Sequence, residues 1–208
     1  AGGRAVSAPL LVYGERELSY LRAADARLAA AIDRIGKVER AAMPDVFQAL
    51  LHAIAGQQVS SRAQETVWRR LLAALGETTP SAVLGAGAEV LRDCGLSARK
   101  AAYMLSAAET FGSGRIDAAL LDRLSDEEAV RVLTALPGVG VWTAQMLLLF
   151  SLRRPDVMCY EDYGLRNGCR LLLGLETIDR AAFEAFRARC SPFGSTASLY
   201  LWEVNRGR

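Results

Sequence analysis

Leu136-Pro137-Gly138-Val139-Gly140-Val141-Trp142-Thr143-Ala144 reads as the turn between two helices, and it decides how the rest of the chain is read. Upstream, Ser125-Asp126-Glu127-Glu128 is a Ser-x-x-Glu capping box that opens a helix through Ala135. Downstream, Val141 to Leu152 is an unbroken, mostly apolar run compatible with a second helix. Pro137 cannot continue the first helix, because its ring fixes φ and removes a donor. Gly138 and Gly140 are expected to supply positive φ and to leave the backbone open to a bulky anion. The second helix then begins with outward N–H groups and the positive end of its dipole, which together favour a phosphate.

Turns of this composition join helices in many proteins, so the stretch gains meaning from the residues downstream of it. After the second helix comes a loop, Arg153-Arg154-Pro155-Asp156, and then Tyr160-Glu161-Asp162-Tyr163 at the start of a helix running through Leu173. A helix-hairpin-helix with an aspartate at the next helix start joins a phosphate grip to a carboxylate. Read alone, Asp162 is an N-cap.

Working outward, the chain reads as helix after helix. Apolar residues at Leu18, Leu21, Leu28, Ile32 and Ile35 predict one helix over Glu17 to Ile35, stopped at Gly36. Pro44 and Asp45 open a helix to about Ile54. Ser61-x-x-Gln64 predicts a capping box for a helix to Leu75, ended by Gly76. Thr79-Pro80 opens a short helix, Ser97 caps one to Phe111, and further helices are expected over Asp117 to Leu124, Asp179 to Arg189 and Ser195 to Val204. No period-2 strand pair and no internal repeat stand out. The expected fold class is all-α.

Composition sets few limits. A chain of 208 residues can bury a sizeable core, and its net charge of +2 neither shows nor opposes nucleic-acid binding. Cys94, Cys159, Cys169 and Cys190 include no Cys-x-x-Cys pair, so buried free thiols in a reducing compartment are expected, with no metal required. His52, the only histidine, lies off the apolar stripe of its helix and is expected at the surface rather than in catalysis. No signal peptide or bilayer-spanning run is recognisable, so no membrane partner and a cytoplasmic, nucleoid-associated place in a bacterium are expected.

Taken in order, Ala55-Gly56-Gln57-Gln58-Val59-Ser60, Gly95-Leu96-Ser97-Ala98-Arg99-Lys100, the hairpin with Trp142-Thr143-Ala144, Glu161-Asp162-Tyr163 and Ala197-Ser198-Leu199-Tyr200-Leu201-Trp202 resemble the helix-hairpin-helix DNA glycosylase superfamily. Within it, the resemblance is to the 3-methyladenine DNA glycosylase II (AlkA/Mag-type) family. It spans roughly residues 45 to 204, and several motifs in order are more specific than any one. The resemblance implies two helical lobes, about 45–124 and 1–44 plus 125–208, with a DNA-binding cleft between them. About forty residues precede it, so the β-rich domain that some members carry there is not expected.

The same resemblance implies roles. Asp162 matches the catalytic aspartate, with Glu161 its nearest competitor. Gln58 matches the wedge that fills the gap left by a flipped base, and Gln57 a contact to the opposite strand. Trp142, Tyr163 and Trp202, joined by Tyr160, match pocket-lining positions; tryptophan as core filler is the competing reading for Trp202. Gly138, Val139, Gly140 and Thr143 would hold the DNA backbone, with turn carbonyls holding a monovalent cation when DNA is bound. Trp142 stands where strand-cleaving members carry a Schiff-base lysine. The expected partner is double-stranded DNA containing damaged bases, bound by a monomer without cofactor. Departures are Tyr160, where relatives have proline or a small residue, Gly194, where many have arginine, and Met146, where some have an aromatic.

The implied function is a monofunctional glycosylase releasing alkylated bases. Three alternatives stand beside it: a helix-hairpin-helix module that binds DNA without catalysis, a glycosylase for deaminated or oxidised bases, and a bifunctional glycosylase/lyase.

Overall fold

The computed structural model describes residues 9–207. Among these are twelve α-helices, and the only β pairing is an isolated antiparallel bridge between Leu10 and Ala41. The helices are α1 Glu15–Ala24, α2 Ala26–Ile35, α3 Val46–Gly56, α4 Ser61–Leu75, α5 Pro80–Asp93, α6 Ala98–Gly112, α7 Ala118–Arg123, α8 Asp126–Thr134, α9 Val141–Phe150, α10 Tyr163–Leu173, α11 Arg180–Cys190 and α12 Gly194–Asn205. The fold is all-α with two helical lobes, as the sequence implies. None of the described helices is long and apolar enough to cross a membrane.

The chain divides into a middle unit, Met43–Leu147, and a terminal unit that runs to Ala42 and resumes at Leu148. The boundary falls inside α9, whereas the sequence reading set it at residue 124. Helix α8 and the hairpin turn therefore group with α3 to α7. Direct contacts account for this: the Gln57 side chain donates to Gly138 O at 2.8 Å, and the Tyr103 ring of α6 packs on Gly138.

Three local expectations are corrected. The helix expected over Glu17 to Ile35 is broken at Asp25, which is extended (φ −154°, ψ 123°) and whose carboxylate accepts from the Arg27 and Leu28 N–H groups. The apolar period survives, since Leu21, Leu28 and Ile32 are all buried, but a free helix start rewards an aspartate more than a helix interior does. Ser60, not Ser61, caps α4 by accepting from Ala63 N, and Gln64 donates to His52 O instead of closing a capping box. The helix opened by Thr79-Pro80 is not short; it reaches Asp93 with a kink at Gly87, where φ is 70°.

The middle unit is packed on Phe47, Leu50, Leu51, Ile54, Leu71, Leu91, Met104 and Leu133, and the Phe47 and Phe111 rings lie 5.2 Å apart. The terminal unit is packed on Leu21, Leu28, Ile32, Leu165, Phe183, Phe186 and Tyr200. Each such side chain contributes about 1.5–3 kcal/mol by leaving water. The Tyr200 hydroxyl donates to Gly36 O at 3.1 Å, and Arg40 pairs with the buried Glu203. All four cysteines are free and buried; burial pushes the thiols of Cys159, Cys169 and Cys190 up to about 12, which leaves them unreactive.

Candidate functional site

The residues singled out in the sequence fall into two groups, one in each unit. In the middle unit, Val139 N donates to Leu136 O at 3.1 Å, with Pro137 and Gly138 between them. Gly138 has φ 80°, the third-position geometry of a type II turn. Gly140 does not adopt positive φ, contrary to expectation. Its role is clearance, since a Cβ there would meet nothing within 4 Å. The first α9 bond of this end is Ala144 N to Gly140 O, so the N–H groups preceding it belong to the first turn, where a helix offers no partners of its own. Val141 and Trp142 are exposed there, Trp142 at 43 %, while Thr143 is buried.

Beside the hairpin, α3 ends at Gly56, and the chain turns through Gln57 and Gln58 into Ser60. Gln58 has φ 54°, a left-handed conformation that costs a non-glycine residue about 1–2 kcal/mol. Gln57 donates one amide N–H to Gly138 O at 2.8 Å, a bond inside the protein that the opposite-strand role does not include. Lys100 donates from Nζ to Ala55 O at 2.9 Å, capping the carbonyl end of α3. His52 is half-buried rather than at the surface: it packs edge-on against Trp68 at 5.0 Å, and burial lowers its pKa, so it is neutral at physiological pH.

In the terminal unit, Asp162 is the N-cap of α10, and its Oδ1 accepts from Leu165 N at 2.8 Å. The same oxygen accepts from Trp202 Nε1 at 2.9 Å. The Trp202 ring is stacked on Phe150, centroids 5.8 Å apart and planes 19° apart. Trp202 is thus neither plain core filler nor a freely presented ring; it is a donor to the carboxylate. Two glycines that the sequence reading passed over permit this. A Cβ on Gly164 would lie 2.9 Å from Trp202 Cδ1 and 3.1 Å from Asp162 Oδ1, and a Cβ on Gly168 would collide with the Leu201 carbonyl. The α10 face that meets α12 must be bare for the indole to reach Asp162. Glycines four apart on α10 are the signal that could have pointed to them.

Glu161 faces another partner. It pairs with Arg180 at 2.6 Å and accepts from the Cys159 thiol at 3.6 Å. Partial burial pushes its pKa up, but the Arg180 hydrogen bond, its own backbone and the Arg180 charge outweigh that and hold it below the usual carboxylate value. Tyr160 is set in the same cluster. Its ring meets Phe183 edge-on at 5.4 Å, with the Arg180 and Arg166 guanidiniums 4.3 and 5.2 Å from its centre. Those cations lie against a ring that the sequence reading placed in the base pocket. Tyr163 is 70 % exposed. Asp156 belongs to its loop, accepting from Ser191 Oγ at 2.6 Å and Gly194 N at 2.9 Å; a Cβ on Gly194 would sit 2.7 Å from that carboxylate, so this chain has no room for a side chain there.

A family model described as HhH-GPD superfamily base excision DNA repair protein matches residues 51–192. The chain is 36% identical over 165 residues to DNA-3-methyladenine glycosylase 1 of Schizosaccharomyces pombe, covering 77% of this chain and 72% of that one. It matches the crystal structure of a DNA-3-methyladenine glycosidase from Bacillus halodurans with a TM-score of 0.86 and 31% identity, over 95% of this chain and 92% of that one. It also matches the Schizosaccharomyces pombe 3-methyladenine DNA glycosylase in complex with abasic DNA, with a TM-score of 0.80 and 32% identity, over 90% and 95% of the two chains.

Proposed function

Because the chain belongs to the HhH-GPD superfamily of base excision DNA repair proteins, in its AlkA/Mag-type 3-methyladenine DNA glycosylase family, we propose that it hydrolyses the N-glycosidic bond of alkylated bases in double-stranded DNA and leaves the strand uncut. The substrates are 3-methyladenine and related methylpurines. The observation that carries this reading is the Asp162 carboxylate, fixed at a helix N-terminus by the Leu165 N–H and the Trp202 indole. Breaking the bond leaves a sugar with oxocarbenium character, and a preorganised anion stabilises that charge and orients the attacking water. A methylated purine departs neutral, so it needs no strong general acid. Its cationic ring is drawn to electron-rich aromatic faces, worth about 0.5–2 kcal/mol per contact, and the exposed Tyr163 next to Asp162 offers one.

Hydrolysis without strand cleavage fits the amines present. A lyase needs an amine nucleophile, and the chain has two lysines. Lys37 pairs with Glu39 at 3.0 Å, and Lys100 is spent on Ala55 O. At the hairpin, the Leu136 and Gly138 carbonyl oxygens each accept one N–H and keep a second lone pair. Carbonyl oxygens of this turn would be the hard donors to a monovalent cation, which would add positive charge beside a bound phosphate.

The test is release of free base from methylated duplex DNA, run beside Asp162→Asn. The variant is expected to lose on the order of 10² to 10³ in rate while still binding DNA. Borohydride should trap no adduct. Near-normal excision by Asp162→Asn overturns the assignment, and a trapped complex would direct attention to Lys100.

A further inference from the structure

The turn bearing Gln58 and the hairpin turn, about eighty residues apart in sequence, are joined by one side chain. Gln57 Nε2 donates to Gly138 O at 2.8 Å, a partly buried bond. Both ends are themselves held. On the hairpin side, Gly138 takes φ 80° with the Tyr103 ring where a Cβ would be, so its peptide plane has little freedom. On the α3 side, Gln57 N donates to Ile54 O at 3.3 Å and Lys100 ties down Ala55 O. Immediately beyond the link, Gln58 is held at φ 54°, a conformation that relaxes unless its surroundings impose it.

We propose that Gln57 is a positioning residue that locks the Gln58 turn onto the hairpin, so that the hairpin's grip on the DNA backbone delivers Gln58 at a fixed spacing from that phosphate. The inference rests on the reading of the protein as a base-extruding glycosylase. It differs from a contact of Gln57 with the opposite strand, because it acts through the amide N–H bonded to Gly138 O inside the protein. The role needs a donor of glutamine's reach at position 57; glutamate, nearly the same shape, would set an anion against the Gly138 carbonyl.

The experiment is a binding cycle on duplexes that are intact or contain a tetrahydrofuran abasic analogue, with wild type, Gln57→Ala, Gln58→Ala and the double variant. Wild type should prefer the abasic duplex. Gln57→Ala should leave intact-duplex affinity nearly unchanged and reduce the abasic preference by about two- to tenfold, the equilibrium equivalent of one net hydrogen bond. The double variant should be no worse than Gln58→Ala, because the lock acts only through the wedge. Gln57→Glu should be at least as impaired as Gln57→Ala, with the thermal midpoint of both recording any general loss of fold. Additive losses, or a Gln57→Ala defect that varies with the base opposite the lesion, would overturn the proposal in favour of a direct strand contact. A wild-type protein with no abasic preference would sink the glycosylase reading itself; a preference that survives Gln57→Ala would sink only the lock.

Discussion

At the hairpin, what the molecule offers outward is main chain; at the start of α10, it is side chains converging from two helices. The hairpin depends on Gly138 reaching φ 80° and on a helix that starts immediately after it. The Asp162 arrangement depends on Trp202, which is forty residues away, and on Gly164 leaving room for it. A backbone site tolerates most side-chain change and fails where the backbone path is blocked. A side-chain site fails when a distant partner is lost, even if the backbone is untouched.

The largest effect that separates these regimes is expected at the hairpin's two glycines. Gly138→Ala forces a Cβ into the Tyr103 ring and puts an L-residue in the left-handed region. Those terms, about 1–2 kcal/mol for the backbone and about 1–3 for overpacking, sum to a clear drop in the thermal midpoint. Gly140→Ala meets nothing and should stay within about 0.5 kcal/mol of wild type. Gly140→Val, which masks the turn, should weaken binding to damaged and undamaged DNA alike. Equal melting of Gly138→Ala and wild type would show that the turn does not need its glycine.

At the Asp162 side, Trp202→Phe keeps a ring beside Phe150 and removes the donor to Oδ1. A hydrogen bond to a charged group is worth about 1.5–3 kcal/mol, so excision should fall about ten- to a hundredfold while binding to abasic DNA changes far less. Gly164→Ala, whose Cβ would press on the Trp202 indole and on Asp162 Oδ1, should do the same without removing the indole, at a modest cost in melting point from overpacking. In an Asp162→Asn background neither change should add much. If Trp202→Phe instead hurts cationic bases and spares neutral ones, the indole serves as a stacking surface and not as a donor.

The same contrast explains what could be read in the sequence. The hairpin was legible because Pro137, Gly138 and the Ser125 box are local signals whose geometry comes directly from residue type. Asp162 at a helix start was legible for the same reason, and so were most helix bounds. The Trp202–Asp162 bond was not, because nothing near residue 162 states which side chain from α12 will arrive. The Gln57–Gly138 bond was not legible for the same cause: its acceptor lies across the middle unit. Asp25 misled in the opposite way, since an unbroken apolar period hid a cap that only hydrogen-bond competition reveals.

The smallest predicted effect tests the division of labour between the two adjacent acids. Glu161 and Arg180 form a pair whose side chains are 38% and 59% exposed, so solvent screening limits the pair to at most about 1 kcal/mol. Glu161's folded pKa is held below its usual value, so the pair's stabilisation is present above the ordinary carboxylate range and is lost as pH falls through the folded value. Glu161→Gln should therefore melt slightly earlier than wild type at neutral pH, and the two curves should converge in acid. Excision at neutral pH should stay within about threefold, as expected for a surface change away from the reacting atoms. The carboxylate set by Leu165 and Trp202 remains where it was, and the one removed was already turned to Arg180. A loss comparable to that of Asp162→Asn would break the comparison at its root, because the acid held by side-chain convergence would no longer be the one that carries the chemistry.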